Sequence, residues 1–215
     1  MTPFEEFARE HLPPLTDGGS PPRLLEVGCG RGELTTALAS AGYDVLGIDP
    51  AAPEGHLFRR LTLEDLDEPG PYDGVLAGSS LHHIRDLGAA LDKIARLLAP
   101  NGVLVVEEFA WDRLDEPTLA WLAGQRRARS AGGEELGQVD ALRAEWEADH
   151  LALHGEEALL RGLAERFDEQ AFEWTPYLYR LLGDGATEVL EQALIDSGEI
   201  RALGFRYVGR PRSAR

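Results

Sequence analysis

The sequence has few of the features that mark exported or membrane-embedded proteins. It contains one cysteine, Cys29, among 215 residues, so no disulfide can form within the chain. Its apolar runs stay well short of the roughly 20 residues that a membrane-spanning helix needs. The first residues, Met-Thr-Pro-Phe-Glu-Glu, are acidic and do not resemble a signal peptide. We therefore expect a cytoplasmic protein.

Positive charge is also scarce. The chain carries 21 Lys and Arg residues against 38 Asp and Glu residues, which gives a formal net charge of −17 at pH 7. The field of such a chain repels phosphate backbones, so we do not expect nucleic acid as a substrate. Lys93 is the only lysine, a bias that is typical of GC-rich bacterial coding sequences.

Strand and helix patterns alternate through the first half of the chain, whose total length fits one well-cored domain. Apolar runs predict strands at residues 23–27, 44–48, 57–61, 72–77 and 103–106. Apolar positions at helical spacing predict helices at residues 4–12, 33–41 and 87–98. A turn is predicted at residues 100–102, Pro-Asn-Gly. This β-α-β rhythm predicts a parallel sheet with helices on both faces.

The rhythm changes after Phe109. Residues 114–166 have a charged, helical pattern, and residues 172–182 are rich in aromatic side chains and predict a strand. A helix is expected at residues 186–197 and a final strand at residues 201–208.

A glycine-rich loop follows the first predicted strand, in the run Leu-Leu-Glu-Val-Gly-Cys-Gly-Arg-Gly-Glu-Leu of residues 24–34. Gly28, Gly30 and Gly32 permit a tight turn and the close approach of a ligand. A dinucleotide loop has the spacing G-x-G-x-x-G and holds a pyrophosphate at the helix N-terminus. Here the third glycine comes one residue early, and Glu33 would compete with a phosphate for the helix end. The loop therefore favours a nucleoside ligand without phosphate.

An acidic residue stands at the end of the second predicted strand. Asp49 lies 21 residues beyond Gly28, where a carboxylate can accept hydrogen bonds from both ribose hydroxyls. Its alternative role is that of a helix N-cap.

The motif E-x-G-x-G-x-G, from Glu26 to Gly32, resembles the glycine motif of class I S-adenosylmethionine (SAM) methyltransferases. Three later segments are also similar to that family: Tyr-Asp-Gly-Val-Leu-Ala at 72–77, Ser-Ser-Leu-His-His-Ile at 79–84, and Leu-Leu-Ala-Pro-Asn-Gly-Val-Leu-Val-Val-Glu at 97–107. The resemblance covers about residues 23–109. It implies an α/β fold with a Rossmann-like, doubly wound, mostly parallel seven-stranded sheet, an antiparallel edge strand and a helical lid insertion.

The resemblance also implies SAM as the cofactor and suggests which residues contact it. The three glycines would line its methionine part, with Glu26 near the ammonium group, Asp49 on the ribose and Pro50 beside the adenosine. Thr62 stands where the family often has an acid for the adenine amino group. The full set of candidate cofactor-binding residues is Glu26, Gly28, Cys29, Gly30, Gly32, Asp49, Pro50, Thr62, Leu63, Glu64, Ser79 and Leu81. For Cys29 itself we expect packing under the glycine turn rather than thiol chemistry.

Three histidines are candidates for the general base that takes a proton from the methyl acceptor. His83 follows the fourth predicted strand, at the edge of the sheet where ligands bind, although capping or packing would also explain it. Trp146, His150 and His154 share one helical face at i, i+4 and i+8. That stripe fits an acceptor pocket, helix packing or, less well, a metal site, for which no third ligand is evident. We predict no metal.

Further pocket candidates lie just beyond the fifth predicted strand, at Glu107, Glu108, Phe109 and Trp111. In the resembled family, the insertion after this strand forms, with the N-terminal helix, the lid that selects the acceptor. We accordingly expect a single domain, with an N-terminal helix and linker at 1–22, a SAM-binding core at 23–109, the lid insertion at 110–170 and the C-terminal edge of the sheet at 171–215.

These features together predict a SAM-dependent methyltransferase that acts on an oxygen or nitrogen atom of a small molecule or short peptide, as a monomer or homodimer. Two alternatives stay open. One is a protein of the same fold that binds a nucleoside without transferring a methyl group. The other is a nicotinamide-dependent oxidoreductase, which the glycine spacing and Glu33 disfavour.

Overall fold

The computed structural model describes residues 1–16, 18–129, 139–182 and 185–212. The chain divides into two compact units. The first unit comprises Met1–Glu108, Glu157–Phe172 and Arg206–Arg215, and the second unit comprises Phe109–Glu156 and Glu173–Phe205. The expected insertion at 110–170 therefore overlaps the second unit only in part.

Seven strands occur in the described residues: β1 (Arg23–Val27), β2 (Asp44–Ile48), β3 (Phe58–Arg59), β4 (Tyr72–Gly78), β5 (Leu98–Phe109), β6 (Phe167–Thr175) and β7 (Gly204–Pro211). They form one mixed sheet in the order β3-β2-β1-β4-β5-β7-β6, with an antiparallel edge. β1 pairs in parallel with β2 and β4, β2 with β3, and β4 with β5. The predicted α/β class and sheet are confirmed.

The helices of the described residues are α1 (Pro3–His11), α2 (Glu33–Ala41), α3 (Leu87–Leu97), α4 (Glu116–Arg129), α5 (Val139–His150), α6 (Glu156–Arg166), α7 (Tyr179–Leu182) and α8 (Gly185–Asp196). Short 3₁₀ helices cover Leu81–His83 and Trp111–Arg113. Within the part of the chain that is described, no helix is both long and apolar enough to cross a membrane.

The chain reverses its direction of progress through the sheet at β1. β2 lies on one side of β1, whereas β4, and β5 after it, lie on the other, so the connections that leave β1 and β4 diverge at the carboxyl ends of these strands. Ligands of open α/β sheets bind in the crevice at such a switch point. β1 provides a rigid base for that crevice, because Leu24 and Leu25 are fully buried. Phe4 and Phe7 of α1 pack into the same core, which belongs to the first unit.

Residues 100–102 were predicted to form a turn that precedes the fifth strand. This prediction is wrong about where the strand starts. β5 already begins at Leu98, which pairs with Tyr72, while the next printed pair joins Gly74 to Val103. Between these two pairs the chain advances by two residues in β4 and by five residues in β5. The extra residues of β5 therefore form an irregular bulge. Pro100 is exposed in this bulge, where its missing N–H breaks no buried bond.

The strand predicted at residues 172–182 is also only partly correct. β6 starts earlier, at Phe167, and ends at Thr175, after which α7 begins at Tyr179. The carboxylate of Glu191 explains the change, since it accepts backbone N–H groups of Tyr177, Leu178 and Tyr179 at 2.9, 3.0 and 2.8 Å. These bonds turn the chain into a helical start instead of extending the strand. Such a contact from α8 has no local signature in the sequence.

Candidate active site

A cavity of about 510 Å³ lies in the first unit, at the carboxyl ends of β1 and β2. Its volume falls in the range of about 300–1,000 Å³ that is usual for small-molecule sites. The residues that line it are Val27, Gly28, Gly30, Ile48, Asp49, Pro50, Leu61, Thr62, Leu63, Glu64, Ser79, Ser80, His83, Ile84 and Arg85.

The glycine loop forms a wall of bare backbone on this cavity. Gly28 has a φ of +75°, and a Cβ placed on it would collide with the side chain of Ser80. Gly30 has a φ of +51°, and a Cβ there would meet nothing within 4 Å. The amides of Gly28 and Cys29 both donate to the carbonyl oxygen of Ile48, at 2.8 and 3.1 Å. The loop is thus held against the end of β2, with its open side toward the cavity.

Asp49 joins the glycine loop to the turn that follows β2. One carboxylate oxygen, Oδ2, accepts the amide of Gly30 at 3.1 Å, and the other, Oδ1, accepts the amide of Ala51 at 2.7 Å. The second bond lies in a turn two residues on rather than at a helix start. Because each carboxylate oxygen has two lone pairs, Asp49 retains acceptor capacity toward the cavity that it lines.

Glu26 and Cys29 lie beneath the glycine loop, and neither is part of the cavity lining. The hydroxyl of Thr35 donates to Oε2 of Glu26. Burial raises the pKa of Glu26 to about 7, helped by the charge of Asp49 and opposed by the bonds from Thr35. Burial also raises the pKa of the Cys29 thiol to about 12, which agrees with its expected packing role. The predicted contact residues Gly32 and Leu81 likewise lie off the cavity wall.

The segment that carries Thr62, Leu63 and Glu64 forms another part of the wall. The hydroxyl of Thr62 donates to Asp65 at 2.9 Å and accepts the amide of Asp65 at 3.3 Å, so Thr62 caps a local turn. Lys93 of α3 fixes the same turn, because its ammonium donates to the carbonyl oxygen of Glu64 at 2.9 Å. Sequence reasoning did not assign Lys93 to the site.

The loop after β4 completes the wall with Ser79, Ser80 and His83. Ser79 has a φ of +50°, the one positive φ of a non-glycine residue in the described chain, and its amide donates to the carbonyl oxygen of Glu107 at 2.7 Å. The hydroxyl of Ser80 donates to the carbonyl oxygen of Val27 at 2.9 Å. This loop is therefore tied to strands on both of its sides.

His83 is the predicted base that reaches this cavity. Its ring lies 4.1 Å from that of His82, centroid to centroid. Partial burial is the main cause that lowers the pKa of His83 below its usual value, and the neighbouring His82 is the second cause. The imidazole of His83 is therefore neutral at pH 7. A neutral imidazole on the wall can accept a proton.

His150 occupies a different cavity, of about 270 Å³, within the second unit. This cavity is lined by Arg126, Leu142, Glu145, Trp146, Asp149, His150 and Leu181. Nδ1 of His150 lies 2.7 Å from the carbonyl oxygen of Trp146. Because a carbonyl only accepts, Nδ1 carries the hydrogen, and in the neutral ring Nε2 is then the acceptor. The ring also packs against Phe109 at 5.4 Å and Trp111 at 6.0 Å between centroids.

The predicted helical stripe of Trp146, His150 and His154 is wrong for its last member. α5 ends at His150, and the amide of Leu153 bonds to the carbonyl oxygen of His150 at 2.8 Å, in a turn. His154 therefore does not share a helical face with His150. Across the described residues, no group of three or more His, Cys, Asp and Glu side chains is placed to hold a metal ion.

Comparison with known proteins identifies the family of this chain. A family model described as a methyltransferase domain matches residues 4–172. The chain belongs to this methyltransferase domain family. The match covers both the glycine loop and the loop after β4 that line the cavity.

This chain resembles the ubiquinone biosynthesis O-methyltransferase of Rhodopseudomonas palustris (strain HaA2), with 37% identity over 97 residues. The match covers 39% of this chain and 38% of that protein, so it spans well under half of the relative's length.

Two solved structures share the fold of this chain. The 1,6-didemethyltoxoflavin-N1-methyltransferase of Burkholderia thailandensis has a TM-score of 0.57 and 18% identity, covering 98% of this chain and 77% of that one. The geranyl diphosphate C-methyltransferase of Streptomyces coelicolor A3(2) has a TM-score of 0.59 and 20% identity, covering 97% and 78%. At these identities the likeness concerns the fold alone.

The wall of the cavity in the first unit also contains residues that the sequence did not single out, notably Ser80 and Arg85. Ser80 follows a predicted contact residue, so its place beside Ser79 was a usable signal. By contrast, Glu107 and Glu108, which were predicted pocket residues, are not among the lining residues. Glu107 instead pairs with Arg206 at 2.9 Å.

Proposed function

We propose that this methyltransferase transfers the methyl group of SAM to an oxygen or nitrogen atom of a small molecule or short peptide. The observation that carries the proposal is the cavity in which bare glycine backbone at Gly28 and Gly30 faces the carboxylate of Asp49. The comparisons add support. The Burkholderia thailandensis neighbour is bound to S-adenosylhomocysteine, and the Rhodopseudomonas palustris relative is named an O-methyltransferase.

The residues of the cavity fit the chemical groups of SAM. Gly30 offers open space where any other residue would place a Cβ, which suits the close approach of the amino-acid part. Asp49 retains lone pairs for the two ribose hydroxyls. Leu63 and the apolar ring of Pro50 provide surfaces for a planar base. The carboxylates of Asp49 and Glu64 disfavour a ligand with phosphate groups.

When bound, SAM supplies a methyl group on a positively charged sulfonium, and its sulfur leaves as a neutral thioether. The protein is then left with alignment of the acceptor, exclusion of water and removal of the acceptor's proton. We assign the removal of the acceptor's proton to a histidine. The candidates are His83, His150 and His154. His83 lines the cofactor cavity as a neutral imidazole, and His150 presents Nε2 as an acceptor in the cavity of the second unit.

We further assign acceptor recognition to the second unit. Its cavity combines the apolar side chains of Leu142, Trp146 and Leu181 with the imidazole of His150 and with three charged side chains, those of Arg126, Glu145 and Asp149. Such a mixture suits a small organic molecule that carries polar groups. The net charge of −17 argues against nucleic acid as the acceptor, and a buried free thiol at Cys29 is compatible with a cytoplasmic location.

Isothermal titration of the purified chain with SAM, S-adenosylhomocysteine and NAD tests the cofactor assignment. We expect binding of the first two and none of NAD. Binding of NAD alone would overturn the proposal in favour of an oxidoreductase.

Methyl transfer itself requires an acceptor. Incubating the protein with methyl-labelled SAM and a fractionated lysate should place the label in small molecules or peptides rather than in nucleic acid. Tight SAM binding with no label transferred to any fraction would instead favour a nucleoside-binding protein of the same fold. Light scattering of the same preparation distinguishes a monomer from a homodimer.

A further inference from the structure

A buried carboxylate on β5 holds the loop that forms one wall of the cofactor cavity. Glu108 is fully buried, at 0% exposure. Its Oε1 accepts the backbone amides of Ser80 at 2.9 Å and Leu81 at 2.6 Å. Its Oε2 lies 2.5 Å from Nδ1 of His82, a side chain that is 4% exposed. All four residues belong to the first unit.

The groups that lie at these three distances from the Glu108 carboxylate are donors. Backbone amides only donate, and Nδ1 of His82 donates as well because a carboxylate has only acceptor sites. The contacts therefore determine both the position of the backbone at Ser80 and Leu81 and the orientation of the His82 ring. Bonds of this kind, with one charged partner and no competing water, are among the stronger hydrogen bonds in proteins.

The backbone that Glu108 holds belongs to the cavity wall. Ser79 and Ser80 line the cavity directly before the bonded amides, and His83 lines it directly after them. The ring of His82 packs against that of His83. A shift of the loop at its bonded amides would therefore move the side chains of the wall on both sides of them.

We propose that Glu108 is a positioning residue of the cofactor site, which sets the place of Ser79, Ser80 and His83 without contacting the ligand. That the ligand is SAM or its product rests on the proposed function. Glutamine has one acceptor oxygen and one donor nitrogen, so the side chain of Glu108→Gln cannot accept from both the two amides and Nδ1 of His82. Its N–H would either face the amides, where donors meet in a buried place and stay unsatisfied, or face Nδ1 of His82, which would then have to give up its hydrogen to accept it.

Glu107→Gln is the matched control. Glu107 is the preceding residue of β5, is also buried, and pairs through Oε2 with Arg206 at 2.9 Å. Both substitutions replace one buried carboxyl group of the same strand with an amide. Wild type and both variants are compared by the dissociation constant for S-adenosylhomocysteine, by the melting temperature, and by ¹H–¹⁵N spectra of the ligand-free protein.

We expect Glu108→Gln to raise the dissociation constant by at least about tenfold. We expect Glu107→Gln to lower the melting temperature while leaving affinity within about twofold. In the ligand-free spectra, Glu108→Gln should shift the amides of residues 79–83 and the ring nitrogens of His82, and Glu107→Gln should shift them much less. Glu108→Asp keeps the charge on a shorter side chain, so it should weaken binding to an intermediate extent and serves if the glutamine variant does not fold.

Equal affinity of Glu108→Gln and wild type would overturn the inference, as would equal losses of affinity in both glutamine variants. Failure of the proposed function has a different signature, in which the wild-type protein itself does not bind S-adenosylhomocysteine. In that case the ligand-free spectra decide the positioning role alone, and unshifted resonances of residues 79–83 in Glu108→Gln would reject it.

Discussion

The amide of Gly30 donates to Oδ2 of Asp49 at 3.1 Å, which links the loop after β1 to the end of β2. The same carboxylate accepts the amide of Ala51 at 2.7 Å. Asp49 therefore shapes the cavity wall before any ligand arrives, in addition to its proposed role as acceptor for the ribose hydroxyls. Substitutions at this position act on both roles, and the comparison of two variants separates them.

Replacing Asp49 with alanine should weaken SAM binding by roughly 1–3 kcal/mol, because ribose hydroxyls and loop amides lose their acceptor. Asp49→Asn keeps one acceptor oxygen for the loop, so its affinity for SAM should fall less than that of Asp49→Ala. Titration calorimetry with SAM measures both. The control is Asp44→Ala, which removes an exposed carboxylate at the opposite end of β2. Unchanged affinity in Asp49→Ala would show that the ribose is held elsewhere.

Alanine at two glycines of the loop should have unequal effects on stability. Both Gly28 and Gly30 have a positive φ, so alanine is strained at either position by roughly 1 kcal/mol. At Gly28 the added methyl group also collides with Ser80, for which overpacking adds roughly 1–3 kcal/mol. Urea unfolding should therefore rank Gly28→Ala below Gly30→Ala in free energy of unfolding. The reverse order would contradict the close approach of the two loops.

Stability should depend on pH through Glu26. Its pKa is raised from 4.5 in the unfolded chain to about 7 in the folded protein, so between these values the folded state binds more protons. The free energy of unfolding accordingly falls as pH rises from 4.5 to 7, by roughly 3 kcal/mol in total, with no further change from this group above that range.

Glu26→Gln isolates this contribution, because glutamine stays neutral at every pH. The free energy of unfolding of the variant minus that of wild type should therefore increase by roughly 2–3 kcal/mol from pH 5 to pH 8, because only wild type loses the contribution of Glu26 over this range. Denaturant titrations at the two pH values measure the change. Glu10→Gln, at an exposed position of α1, controls for the removal of one acidic group. A wild-type-to-variant difference that is the same at both pH values would contradict the raised pKa.

His150→Gln should lower turnover on the order of 10²–10⁴-fold while leaving SAM affinity unchanged, if Nε2 takes the acceptor's proton. The measurement pairs steady-state methyl transfer, on an acceptor found by label transfer, with calorimetric titration of SAM. His83→Gln is the companion variant, since His83 lines the cofactor cavity. Full activity in His150→Gln would assign the residue to packing among Phe109, Trp111 and Trp146.

The region from β1 to β2 was predicted with the bounds that the structure has, because its signals are local. The bounds of β1, α2 and β2 are determined by an apolar run, by closely spaced glycines and by Gly42 after the helix. Each of these signals lies within a few residues of the element that it bounds. The carboxylate at Asp49 was predicted for the same reason, since it follows directly on a strand.

Contacts between distant residues were not predictable in this way. Lys93 bonds the carbonyl oxygen of Glu64, and Glu191 bonds the amides that start α7, across 29 and 12 to 14 positions of sequence respectively. No local sequence pattern at this lysine or at this glutamate predicts which residue it contacts. The role of Glu108 is hidden for the same reason, because the sequence indicates only that an acidic residue stands at the end of an apolar strand.

In the part of the chain that the structure describes, the fifteen residues that line the larger cavity fall between Val27 and Arg85. These residues are encoded by one continuous stretch of the gene. Recombination downstream of that stretch could exchange whole segments for new acceptors while leaving the cofactor-facing surface as it is. Glu108 sets the limit to such exchange, because a hybrid gene joined upstream of its codon would have to bring an equivalent carboxylate of its own.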